Sequence, residues 1–189
     1  MSTKDNVSAA KPAVGGAVST GPVSTKLPTS AIEKLSDALK NLGYISDDGL
    51  TNENTRESED VKAWGGDVVD SLQTEKTDKF TYKLIEALNV EVLKTVFGQS
   101  NVTGTLEEGI KVEVNSKELE EQAIVIDMIL KKGILKRIVI PYGKIVEMSE
   151  IKYGDEELLG YEITVQAFPD KDGNTHYEYM QKATTEGEQ

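Results

Sequence analysis

The chain has no cysteine, one histidine and one tryptophan among 189 residues, and each shortage closes off some chemistry. Without thiols there are no disulfides, no thiolate metal sites and no cysteine nucleophile, and the sequence is indifferent to the redox state of its compartment. A single imidazole, His176, does not build the two- or three-histidine arrangements that hold zinc or iron. Transition-metal chemistry is therefore not expected. Positive charge is scarce as well: 21 Lys and Arg stand against 33 Asp and Glu, a net charge of −12 and a pI near 4.6. Tight nucleic-acid binding runs on Lys and Arg displacing condensed counterions, which argues against it here and leaves room for DNA only as a repelled neighbour. No apolar run approaches the roughly 18 residues of a membrane-spanning helix. The length and a hydrophobic content of 38% suit one domain with its own core.

Residues 1–30 differ from the rest. They hold nine Ser/Thr, three Gly, three of the five prolines and no aromatic residue. Such a segment buries too little apolar surface to offset the entropy of ordering it. Its Ala-Val-Gly-Gly-Ala-Val stretch is broken by glycines and lacks the continuous apolar centre of a secretory signal. The reading is a flexible N-terminal arm, 1–30, ahead of a folded domain, 31–181, with 182–189 as a frayed tail. The arm carries +2 of the −12 total, which leaves −14 on residues 31–189.

Within the domain, Ser30 and Glu33 have capping-box spacing ahead of Ile32, Leu35, Leu39 and Leu42, which predicts a short helix or helical turn before Gly43. Asp47-Asp48-Gly49 reads as a turn, and Gly65-Gly66 as a bend or bulge between strand segments. From Lys79 the period is two: Phe80, Tyr82 and Leu84 share one face, Lys79, Thr81 and Lys83 the other. Asn89 caps a helix, about 89–97, in which Val92, Leu93, Val96 and Phe97 form one stripe before Gly98. Short β-branched pieces follow at 110–114, 124–130, 134–140, 142–151, 161–167 and 177–179. The fold class is mainly β: an antiparallel sandwich or barrel of about seven to nine strands with one flanking helix and a flexible arm.

Candidate chemistry is thin. Gly104 to Lys111 has faint phosphate-loop spacing, but Val112 replaces the hydroxyl residue and Glu107 and Glu108 occupy the cradle. Asp170-Lys-Asp172-Gly173-Asn174 lacks the closing bidentate Glu of a calcium loop and reads as a hairpin turn. A hydrolase relay on His176 finds no serine in a Gly-x-Ser-x-Gly turn. Trp64 and the seven tyrosines read as core or rim rather than as a stacking platform. What stands out is acidity, clustered at 47–48, 57–60, 107–108, 118–121 and 155–157; it is either a solubilising surface or the lining of a passage for another polyanion.

Four stretches taken together resemble the major tail tube proteins of long-tailed, siphovirus-type bacteriophages: Leu42 to Gly49, Val61 to Asp67 with its Ala-Trp-Gly-Gly-Asp segment, Glu91 to Gly98, and Gly160 to Asp170. The resemblance runs over about residues 27 to 179. It implies a β-sandwich with a flanking helix that assembles into hexameric rings stacked as a hollow tube, through which genomic DNA passes without specific binding. It implies no enzymatic activity, no cofactor and no membrane. The partners it implies are the protein itself and the terminator, distal tail and tape-measure proteins at the tube ends. The place it implies is the tail of the virion, assembled in the host bacterial cytoplasm. Strand position and charge make Glu57, Glu59, Asp67, Asp70 and Glu162 the lumen-lining candidates, and Val23, Leu27 and Pro28 the docking candidates of the arm. The rival readings are a tube protein of a contractile tail or phage-like secretion machine, a surface adhesion or carbohydrate-binding β-module using an exposed Trp64, and a hydrolase.

Overall fold

The structure, a computed structural model, describes residues 2–183. Its strands are β1 (Lys11–Pro12), β2 (Val18–Pro22), β3 (Lys40–Asn41), β4 (Ile45–Lys62), β5 (Val68–Leu84), β6 (Val102–Thr103), β7 (Lys111–Val112), β8 (Gln122–Ile129), β9 (Ile134–Met148), β10 (Tyr161–Phe168) and β11 (Tyr177–Lys182), with one helix, α1 (Val90–Phe97). Nine strands form one antiparallel sheet in the order β3-β2-β8-β9-β10-β5-β4, with β1 on β8 and β11 on β9; β6 and β7 pair separately. The mainly β class with one helix stands. The barrel alternative does not, because β3 and β4 end the sheet without meeting.

Alternation decides which side chains enter which layer. Phe80, Tyr82 and Leu84 of β5, Ile163 and Val165 of β10, Ile138 and Ile140 of β9, and Ile124 and Ile126 of β8 pack in one core beneath α1. The helix is capped as its sequence predicts: Asn89 Oδ1 accepts from the Glu91 N–H at 3.0 Å, and Val92, Leu93 and Val96 are buried. The opposite side chains of β8 and β9, Ala123, Val125 and Val139, meet Leu27, Leu35 and Leu39 from the segment before β3. Pieces 134–140 and 142–151 of the sequence reading are one strand. Pro141 interrupts no ladder because it lies at a bulge, where the register with β8 shifts between Gln122 and Ile124 and the other partner of β9 changes from β11 to β10.

Two expectations need correction. Residues 11–30 are not a free arm. Val18 to Thr20 are buried and β2 is hydrogen-bonded between β3 and β8, so the apolar surface that the segment lacks locally is supplied by the sheet. Leu27 packs on the second core, Pro28 is buried, and of the three docking candidates only Val23 is exposed. The folded unit therefore begins well before residue 31, and at its other end Lys182 closes β11 while 184–189 of the proposed tail lie outside the described residues.

The helix expected after Ser30 is also missing. The cap contact itself forms, Ser30 Oγ accepting from the Glu33 N–H at 3.2 Å. However, buried Arg137 donates to the Ser30 and Glu33 carbonyls at 3.0 and 2.6 Å, the acceptors that a helix would use for its own N–H groups. Arg137 is in turn held by both oxygens of Asp127, at 2.6 and 3.1 Å.

Candidate functional site

From Thr51 to Lys76 every residue of β4, of β5 and of the turn between them is exposed. Nothing in this stretch alternates apolar with polar, so it has no face to bury. It holds together as a two-stranded ribbon through its ladder and through contacts such as Thr55 to Thr77 at 2.5 Å and Arg56 to Gln73 at 3.3 Å. The Asp47-Asp48-Gly49 turn predicted at its start is a bulge inside β4, where the register shifts between Ile45 and Leu50. At the far end, Ala63 N–H bonds to the Asp67 carbonyl at 2.8 Å, and Gly65 and Gly66 take φ of +112° and +97°, which side chains rarely allow. Trp64 sits at this tip fully exposed, against the expectation of a core position.

Register sorts the ribbon's charges. Facing pairs Glu53 with Lys79, Glu57 with Glu75, Glu59 with Leu72 and Val61 with Asp70 lie on one face; Arg56 with Lys76, Ser58 with Gln73, Asp60 with Ser71 and Lys62 with Val68 lie on the other. Between residues 51 and 76 the first face holds five carboxylates and no cation, and the second holds three cations and one carboxylate. Three of the five lumen candidates, Glu57, Glu59 and Asp70, come together on the acidic face. Asp67 lies in the turn. Glu162 is on β10 opposite Lys83, hydrogen-bonded to Ser149 Oγ at 2.7 Å, about 26 Å along β5 from Glu75 at the usual rise per residue. Glu53 and Glu75 were not among the candidates, since only the pairing register puts them on this face.

The ribbon leaves the body at a buried carboxylate. Asp78 accepts from Asn52 Nδ2 at 2.8 Å and from Thr175 Oγ1 at 2.5 Å, and His176 Nδ1 lies 2.5 Å from it, the imidazole standing edge-on to Phe80. Burial alone would raise the Asp78 pKa; hydrogen bonds from Thr175, Asn52 and His176 outweigh it and hold the carboxyl below the usual aspartate value. His176 thus ties down the ribbon's root, and among the described residues its hydrogen-bond partner is Asp78 rather than a serine. The Asp170 loop is the expected turn: Asp170 Oδ1 accepts from the Asp172 and Asn174 N–H groups at 2.9 and 3.0 Å.

Among the described residues no three His, Asp or Glu side chains are grouped to hold a metal ion. A cavity of about 570 Å³ between α1, β2 and residues 117–122 is lined by charges of both signs, among them the Lys94–Glu91 pair and Glu118, which pairs with Lys144. Trp64 has no aromatic neighbour with which to form a stacking platform; the ring pairs among the described residues are Phe80 with His176, Phe97 with Tyr161 and Tyr177 with Tyr179.

A sequence profile described as phage tail tube protein matches residues 2–188. The chain belongs to the phage tail tube protein family. This tail tube protein is accordingly a structural component of the virion tail that assembles with itself into a tube, in a family not defined by catalysis. No curated protein matches it. Among solved structures it is similar to a chain of an extracellular contractile injection system, in a sheath–tube complex in the extended state, at 9% identity and a TM-score of 0.45 over 92% of each chain. No helix among the tube protein's described residues is long and apolar enough to cross a membrane.

Proposed function

We propose that this tube protein forms hexameric rings that stack around an open bore, and that genomic DNA passes through the bore to the host cell with the acidic ribbon face turned toward it. The observation that carries the reading is the segregation of Glu53, Glu57, Glu59, Asp70 and Glu75 onto one face that no other part of the protomer covers. A basic wall would trap duplex phosphates contact by contact. A carboxylate wall repels them over about 8–10 Å at physiological salt and leaves the duplex free to slide. Asp67 belongs to the same wall at the ribbon tip and Glu162 at its base. Terminator, distal tail and tape-measure proteins cap or fill the tube.

Electron cryomicroscopy of rods grown from concentrated protein tests this. Hollow rods of uniform width with these carboxylates on the inner surface are expected. Protein that stays dispersed under all conditions, or rods whose inner wall is dominated by Lys and Arg, overturn it.

A further inference from the structure

The ribbon places Glu57 directly opposite Glu75 on one face and Arg56 directly opposite Lys76 on the other. Facing like charges destabilise a hairpin, and exchanging two side chains would convert both pairs to attractive ones. The arrangement therefore carries a cost in the monomer and segregates charge by face. None of Arg56, Lys62 and Lys76 makes an ion pair among the described residues; Arg56 reaches only Gln73 Oε1. A basic strip without a partner, on a chain of net charge −12, is complementary to much of the surface of a second copy.

One acidic segment fits by position. The connection between β9 and β10, residues 149–160, has no regular structure and exposes Asp155, Glu156 and Glu157 in a row beside exposed Tyr153 and Leu158. Of the three acids only Glu157 is paired, with Lys152 at 3.6 Å. The connection ends at Tyr161, which pairs with Leu84, the last residue of β5, whereas the ribbon tip adjoins the first. The two features thus lie at opposite ends of a strand of 17 residues, about 55 Å long. A contact between them joins different molecules head to tail, and such a heterologous contact propagates as a filament wherever the rotation between copies does not close it into a ring.

We propose that the Arg56, Lys62 and Lys76 face of the ribbon docks on the 149–160 connection of a second copy in the next ring, with Asp155 and Glu156 as the charge partners and Trp64 packed against Tyr153 and Leu158. The proposal rests on the tube reading and adds the ring-to-ring contact and the orientation of the ribbon: the basic face meets protein, which leaves the acidic face for the bore.

Charge reversal in the full chain, read by rod formation in the electron microscope, tests it. Arg56→Glu with Lys76→Glu is expected to leave thermal unfolding of the monomer unchanged and to raise the protein concentration needed for rods at least about tenfold. Asp155→Lys with Glu156→Lys should do the same. The four substitutions together should restore rods to within about threefold of the parent. Parent protein that never forms rods overturns the tube reading and this contact with it. Parent rods together with unaffected Arg56/Lys76 variants overturn the contact alone, and a quadruple variant that stays dispersed overturns the 149–160 connection as the partner. Salt-sensitive binding of a duplex oligonucleotide that disappears in the Arg56/Lys76 variant, with rods unchanged, would assign the strip to nucleic acid instead.

Discussion

β5 belongs to two regions that could hardly differ more. Over Phe80 to Leu84 it alternates between fully buried and half-exposed residues within a sheet whose main path runs through seven strands, and over Val68 to Lys76 it has no buried side chain at all. Both parts are hydrogen-bonded strand. The body gains its stability from apolar surface removed from water, whereas the ribbon has only its ladder and a few cross-strand contacts, and an isolated two-stranded ribbon is marginal in water. A surface committed to other molecules can be built in this way, because nothing in the protomer's own core depends on it. Asp78 is the junction, buried although the neighbouring ribbon residues are not.

The comparison breaks most severely if the body loses a strand. Deleting residues 1–28 removes β2 from between β3 and β8 and takes Val18 out of the main core. The truncated chain is expected to lose its cooperative thermal transition by circular dichroism, and a truncated protein that melts like the parent would return this segment to the status of a free arm.

An intermediate effect is expected at the junction. Asp78→Ala leaves Asn52, Thr175 and His176 without their shared acceptor and should cost about 2–3 kcal/mol in denaturant unfolding. The sign of its pH dependence follows from a carboxyl held lower in the folded state than in the unfolded one: its contribution is complete above the ordinary aspartate value of about 3.9 and is lost as pH falls below it. Parent protein should therefore weaken on acidification below about pH 4, and Asp78→Asn should show a flatter acid limb. Equal slopes for the two would remove Asp78 from the account.

The smallest effect belongs to the ribbon. Trp64→Ala should change monomer stability by no more than about 0.5 kcal/mol, as expected for a surface side chain that touches nothing. Amides of 51–76 should exchange with solvent well before those of Phe80 to Leu84 on the same strand. Matching exchange rates along β5 would mean that ribbon and body unfold as one unit.

Local patterns were legible wherever the chain buries one face. Phe80, Tyr82 and Leu84 point into the core as their period requires, and Asn89 and Gly98 bound α1 as their capping preferences require. The strand over 51–62 was not legible, because a ribbon wet on both faces has no hydrophobic period. The Ser30 cap predicted a helix that Arg137 prevents from more than a hundred residues away, by taking the carbonyls that the helix would use. The same distance problem hid the bond between Asp78 and His176.

By itself the sequence determined the chemistry that is excluded, the acidic balance, the β class, the helix and the family resemblance, since these follow from composition and from short-range order. Tertiary structure alone decided that β2 is a sheet strand, that Trp64 stands at a tip, and that Glu57 shares a face with Asp70 while Arg56 shares the other with Lys76. The reason is that successive strand residues point to opposite sides, so the company a side chain keeps depends on which distant residue its strand is paired with; a slip of β5 by one position would move Asp70 and Glu75 to the face of Arg56 and mix the two charges.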